Sequence, residues 1–229
     1  LSTDGQLINQ ITLPTITNTD WESLTISNEH FYIADIGNNN GTRQDLKIYQ
    51  TAINNLINNQ WDDWSEIPIS YELQSSFLSA PRNTPYDSEA ITIAGDNSYL
   101  FTKDWAEQST TVYRIHLDNP TPLTDGIHIP VKGLVTGATV TPQNYIMLCG
   151  YNESLNPFIA RIKIEADGLS WIEQWELPIE AKQTEAITYY KTQDDGTEYY
   201  FISSEGYHIN LGTIQTSQPP ELFMLQWRN

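Results

Sequence analysis

The chain has 229 residues, and its 29 acidic side chains against 11 basic ones give a formal net charge of −18. So negative a protein is a poor fit to nucleic acid or anionic membranes, which are gripped through Lys and Arg, and no apolar run approaches the ~18 residues that span a bilayer. The single cysteine, Cys149, excludes an internal disulfide and a multi-cysteine zinc cluster.

In chain order, short runs of aromatic and β-branched residues alternate with Asn, Asp, Gly and Pro, the pattern of an all-β protein. The length suits a single domain over 1–229. A first strand is expected from Leu7 to Thr15, followed by Glu22 to Ser27 and Phe31 to Ile36, with a turn Gly37-Asn38-Asn39-Asn40-Gly41. Leu46 to Thr51 and Ile67 to Leu73 read as strands, separated by an Asn-rich stretch, Ile53 to Asn59, that is short helix or irregular. The order then recurs: Ser98 to Lys103, Thr111 to Leu117 and Gly126 to Lys132; next Tyr145 to Cys149, Phe158 to Ile164 and Trp171 to Leu177; finally Tyr199 to Ser203 and Glu221 to Trp227. Cys149, at the end of an apolar strand with no activating base beside it, reads as a packed thiol.

Ahead of each group stands a related word. It is Asp20-Trp21-Glu22-Ser23-Leu24-Thr25-Ile26, then Asp87-Ser88-Glu89-Ala90-Ile91-Thr92-Ile93, then Gln183-Thr184-Glu185-Ala186-Ile187-Thr188-Tyr189. A degenerate copy, Val135-Thr136-Gly137-Ala138-Thr139-Val140, aligns with Gly137 in the glutamate position. Glu89 to Gly137 and Gly137 to Glu185 are 48 residues each, and Glu22 to Glu89 is 67. Propeller blades take about 40–50 residues, so the fold class expected is a β-propeller of four four-stranded antiparallel blades. The long first spacing accommodates the Ile53–Trp64 insertion and the Gln74–Tyr86 loop, and five blades is the alternative. Leu7 to Thr15 is expected to become the outer strand of the last blade and so close the ring. The word falls on the innermost strands, with Glu22, Leu24 and Ile26 on one, large face and Ser23 and Thr25 on a small one.

Glu22, Glu89 and Glu185 are then expected around one mouth of a central channel. Carboxylates crowded together raise one another's pKa or require a cation. Calcium is the natural ion, since it accepts six to eight oxygen ligands, and Asp35, Asn38 and Glu205 are the further candidate ligands from neighbouring strand ends. Lys103 is a candidate counter-ion at the same mouth, and Arg43 a partner of Asp35 or Asp45. Two other readings stay open: the glutamates can latch blades by accepting backbone amides, or serve a metal-dependent hydrolase of phosphoesters or lactones with Asp35 or Glu205 as general base. The four histidines are scattered without ligand spacing, and no phosphate loop, H-E-x-x-H or G-x-S-x-G motif is present.

The words Asp20-Trp21-Glu22-Ser23-Leu24, Tyr32-Ile33-Ala34-Asp35-Ile36-Gly37-Asn38-Asn39 with Arg43, Asp87-Ser88-Glu89-Ala90-Ile91, Val135-Thr136-Gly137-Ala138 and Gln183-Thr184-Glu185-Ala186-Ile187 occur in an order that resembles one family. It is a family of bacterial secreted or lipoprotein-type β-propellers carrying D-W-E-D-I-A and D-I-G-D-N motifs. Ser23 and Asn38 depart from it, and each departure removes a carboxylate. The resemblance implies a secreted or periplasmic propeller and brings no established activity. The function expected is an extracytoplasmic binding or interaction module, a monomer, with a small molecule, glycan or protein as its partner.

Overall fold

A computed structural model describes residues 6–118, 122–166, 168–211 and 214–228. Its sheets follow the repeated sequence order. The first contains β1 (Trp21–Ile26), β2 (His30–Asp35), β3 (Lys47–Ala52) and β4 (Ser65–Pro68), with the helix α1 (Ile53–Ile57) after β3. The second contains β5 (Ser88–Ala94), β6 (Asn97–Thr102), β7 (Thr110–Ile115) and β8 (Ile127–Ile129). The third contains β9 (Leu134–Val140), β10 (Tyr145–Tyr151), β11 (Pro157–Glu165) and β12 (Gly168–Glu176). In the fourth, β13 (Thr184–Thr192) and β14 (Glu198–Ser204) are followed by a separate hairpin, β15 (Tyr207–Leu211) and β16 (Ile214–Gln218), before β17 (Glu221–Trp227) completes a three-stranded sheet. These are four antiparallel blades in a β-propeller arrangement, as the repeat predicts. The β15–β16 hairpin was not foreshadowed by the repeat.

Residues 7–15 do not close the last blade. They form no strand, and Leu7, Ile8 and Ile11 are exposed. A lone extended segment leaves its backbone groups to water unless it meets a sheet edge, and among the described residues β17 pairs only with β14. The long first repeat has the expected origin. The 74–86 loop folds over the Asn38–Gly41 turn, where Ala80 N–H donates to Asn40 O (2.8 Å) and Arg82 N–H to Asn39 O (2.9 Å).

The blades join through their inner strands: β1 packs on β5, β5 on β9, and β9 on β13. Three apolar cores fill these three junctions. One gathers Ile36, Ile48, Ile91 and Leu100, another Phe101, Val135, Leu148 and Phe158, and the last Met147, Ile159, Ile187 and Tyr200. Cys149 is fully buried in the last of these, and burial pushes its thiol far up, which leaves it inert. At two of the three junctions hydroxyls of one inner strand bond the backbone of the next. Ser23 Oγ accepts Ile91 N–H (3.3 Å), Thr136 Oγ1 donates to Thr184 O, and Thr139 Oγ1 accepts Tyr189 N–H (3.1 Å). Small hydroxyl side chains let the backbones approach and then satisfy their polar groups. Glycine is used at the tightest approach. A Cβ on Gly137 would lie 2.8 Å from Cys149 Sγ and 3.0 Å from Ala186 Cα.

Candidate functional site: the mouth of the channel

Each inner strand slips its pairing at the same place. The register of β1 passes from Trp21 to Ser23, that of β5 from Ser88 to Ala90, and that of β13 from Thr184 to Ala186. Glu22, Glu89 and Glu185 are therefore the extra residues of three β-bulges, devices that re-aim a side chain out of the pleat. In β9 the slip runs from Val135 to Gly137. The fourth position thus belongs to Thr136, not Gly137, and Gly137 is the counterpart of Ser23, Ala90 and Ala186. That corner is filled by a hydroxyl bonded to the next blade.

Around this mouth, Lys103 is the central charge. Its Nζ lies 2.6 Å from Glu89 Oε1, with both side chains almost wholly buried, and 4.9 and 5.4 Å from the ring centres of Trp105 and Tyr151. Burial works against the ammonium, but Glu89, Tyr151 and Glu185 together raise its pKa, so it stays charged. The carboxyls outnumber it. Burial, with the charges of Glu89 and Asp20 added, pushes Glu22 from 4.5 up to about 10. Burial likewise raises Glu89 to about 8 despite Lys103, with Asp87 and Glu185 contributing. Glu185 is raised to about 7, mainly by burial, against the pull of Lys103 and with a push from the exposed Glu205. Glu22, Glu89, Glu185 and Lys103 are thus brought into one electrostatic unit, with Glu205 on its rim.

Asp35, Asn38 and Arg43 form a supporting network beside it. Arg43 Nη1 contacts Asp35 Oδ1 (3.0 Å) and Gly37 O (2.8 Å), while its Nε reaches Asp45 (3.1 Å). Asp35 Oδ1 also accepts the Asp20 N–H at 2.9 Å. Asn38 takes the Arg43 N–H on Oδ1 (2.9 Å) and donates from Nδ2 to Tyr86 O (3.2 Å). Asp35 is fully buried and held by Arg43 through Oδ1, while its Oδ2 makes no hydrogen bond among the described residues.

Asp20 and Asp87, which the motif reading passed over, are as much part of the mouth as the glutamates. Asp87 accepts Asn38 N–H (2.5 Å) and Trp105 Nε1–H (2.8 Å), tying the first blade to the second, and burial raises its pKa. A Cβ on Gly37 would fall 2.4 Å from both Asp20 Oδ2 and Glu22 Oε1, so the two carboxyls lie together over a residue that must be glycine. At the third copy Gln183 replaces the aspartate and donates to Tyr151 Oη (3.1 Å). The signal was present in the repeat: Asp20, Asp87 and Gln183 each stand two residues before the glutamate. Among the described residues no group of three or more His, Cys, Asp or Glu side chains forms a ready-made metal cluster. No described helix is long and apolar enough to cross a membrane.

Fold and site together define a β-propeller with a buried lysine–carboxyl cluster at its channel mouth. The chain is similar to a putative 6-phosphogluconolactonase from Bacteroides uniformis, at 12% identity and a TM-score of 0.47 over 91% of this chain and 58% of that one. It is also similar to the hydrazine synthase of Kuenenia stuttgartiensis, at 12% identity and a TM-score of 0.46 over 79% of this chain and 43% of that one. The chain spans about half the length of these structures. No protein-family model and no curated protein matches the sequence.

Proposed function

We propose that the protein is an extracytoplasmic binding module whose channel mouth takes up a cation, with calcium the ion of choice. The observation that carries this reading is the pairing of Asp20 and Glu22 over Gly37. Lys103, which favours the charged form of Glu22, is already engaged by Glu89, and Arg43, which bonds Gly37 O, is engaged by Asp35 and Asp45. The Asp20–Glu22 pair must therefore keep a proton or gain a cation. Calcium suits two carboxyls because it completes its shell of six to eight oxygens with carbonyls and water. A cation here competes with the proton on Glu22, so binding should strengthen as pH rises.

The test is thermal unfolding with millimolar calcium or with chelator. At pH 8 calcium should raise the melting temperature, at pH 5 the rise should disappear, and Asp20→Asn with Glu22→Gln should abolish it at pH 8. Identical melting curves with calcium and with chelator at pH 8 would sink the reading.

A further inference from the structure

Three junctions in this propeller are packed and one pair of faces has no partner. Leu24 and Ile26, on the large face of β1, are 62% and 60% exposed. Their counterparts Ile91 and Ile187 are buried, at 0% and 4%. At the other end of the array, Ala186 and Thr188, on the small face of β13, are exposed, whereas Ala90 and Thr92 are buried. These are the two halves of the seam repeated at every other junction. Among the described residues they do not cover each other.

The arc is nevertheless tightly curved. Asn38 of the first blade donates to Asp87 of the second (2.5 Å), Lys103 of the second lies 5.4 Å from the Tyr151 ring of the third, and Gln183 of the fourth donates to Tyr151 Oη (3.1 Å), so the blades converge on one narrow axis. A second copy continuing the array would need a far wider ring. One segment of this chain stands where the outermost strand of one more blade would lie. Blades run from inner to outer strand, and short links, residues 130–133 and 177–183, carry β8 to β9 and β12 to β13. Residues 16–20 stand in the same relation to β1, which puts 7–15, with Leu7, Ile8 and Ile11 exposed, in the position of an outer strand of a preceding blade.

We propose that the gap between β13 and β1 is filled by a fifth four-stranded blade of the same polypeptide. Residues 7–15 are its outer strand and its three inner strands come from ahead of residue 1. The inner strand of that blade presents an apolar large face to Ala186 and Thr188 and a small face to Leu24 and Ile26. This seam is independent of whether the mouth binds a cation.

The test is thiol labelling under native conditions in the full-length polypeptide, with Cys149 buried and silent. Leu24→Cys and Ala186→Cys should lose labelling at every protein concentration, while Leu78→Cys, at a fully exposed loop position, labels freely. Ile26→Cys and Thr188→Cys give a second pair should either first variant fail to fold. An intact mass above 26.1 kDa should accompany the protection. Labelling at 24 and 186 as fast as at 78, or protection that fades on dilution as for a second copy, would overturn the proposal.

Discussion

Glu22 is buried in a carboxyl cluster, and its proton is a property of the fold. Between 4.5, where the unfolded chain ionises, and about 10, where the folded Glu22 does, the native state binds the extra proton. Stability then falls as pH rises through that window, with Glu89 and Glu185 acting in the same direction up to about 8 and 7. Urea unfolding without calcium should show a protein more stable at pH 5 than at pH 8, and Glu22→Gln should flatten the dependence and stabilise at pH 8. Lys103 has the opposite character. Removing one partner of a buried pair strands the other, so Lys103→Met should cost about 3–5 kcal/mol. Lys103→Met with Glu89→Leu should recover much of that loss, which the same urea curves would read.

The inner strand is the element that unites fold and site. Its alternation of large and small residues was legible in the sequence, because a blade seam demands small side chains on one side and Leu or Ile on the other. Its bulge was not. A repeated glutamate at a strand start looks the same whether it lies in the pleat or outside it, and the shift from Gly137 to Thr136 emerges only from the pairing of β9 with β10. Asp35 and Asn38 were placed near the mouth by their position after β2. Which of their atoms were already engaged depended on Arg43 and on the distant 74–86 loop. Gly137 tests the seam directly. Gly137→Ala would push a methyl toward Cys149 Sγ and the Ala186 backbone, and thermal or urea unfolding should show a loss of about 1–3 kcal/mol. Ala138→Gly, one residue along and only half-buried, controls for strand propensity.

At the scale of the molecule, the apolar cohesion of the blades and the glutamate charge of the mouth are carried by different residues. The blades are held by three apolar cores and by hydroxyls that bridge neighbouring inner strands. The glutamates of the mouth are residues stepped out of the strand pairing. Three bulges carry a carboxyl and one carries a hydroxyl, and all four blades still form. A bulged position therefore behaves as an interchangeable socket: its occupant can change without altering which neighbouring side chains face inward or outward. Selection could rewrite the mouth one corner at a time, from acid to alcohol, amide or base, while the seams between blades remain as they are. Such a scaffold can acquire a new ligand without first having to learn a new way to fold.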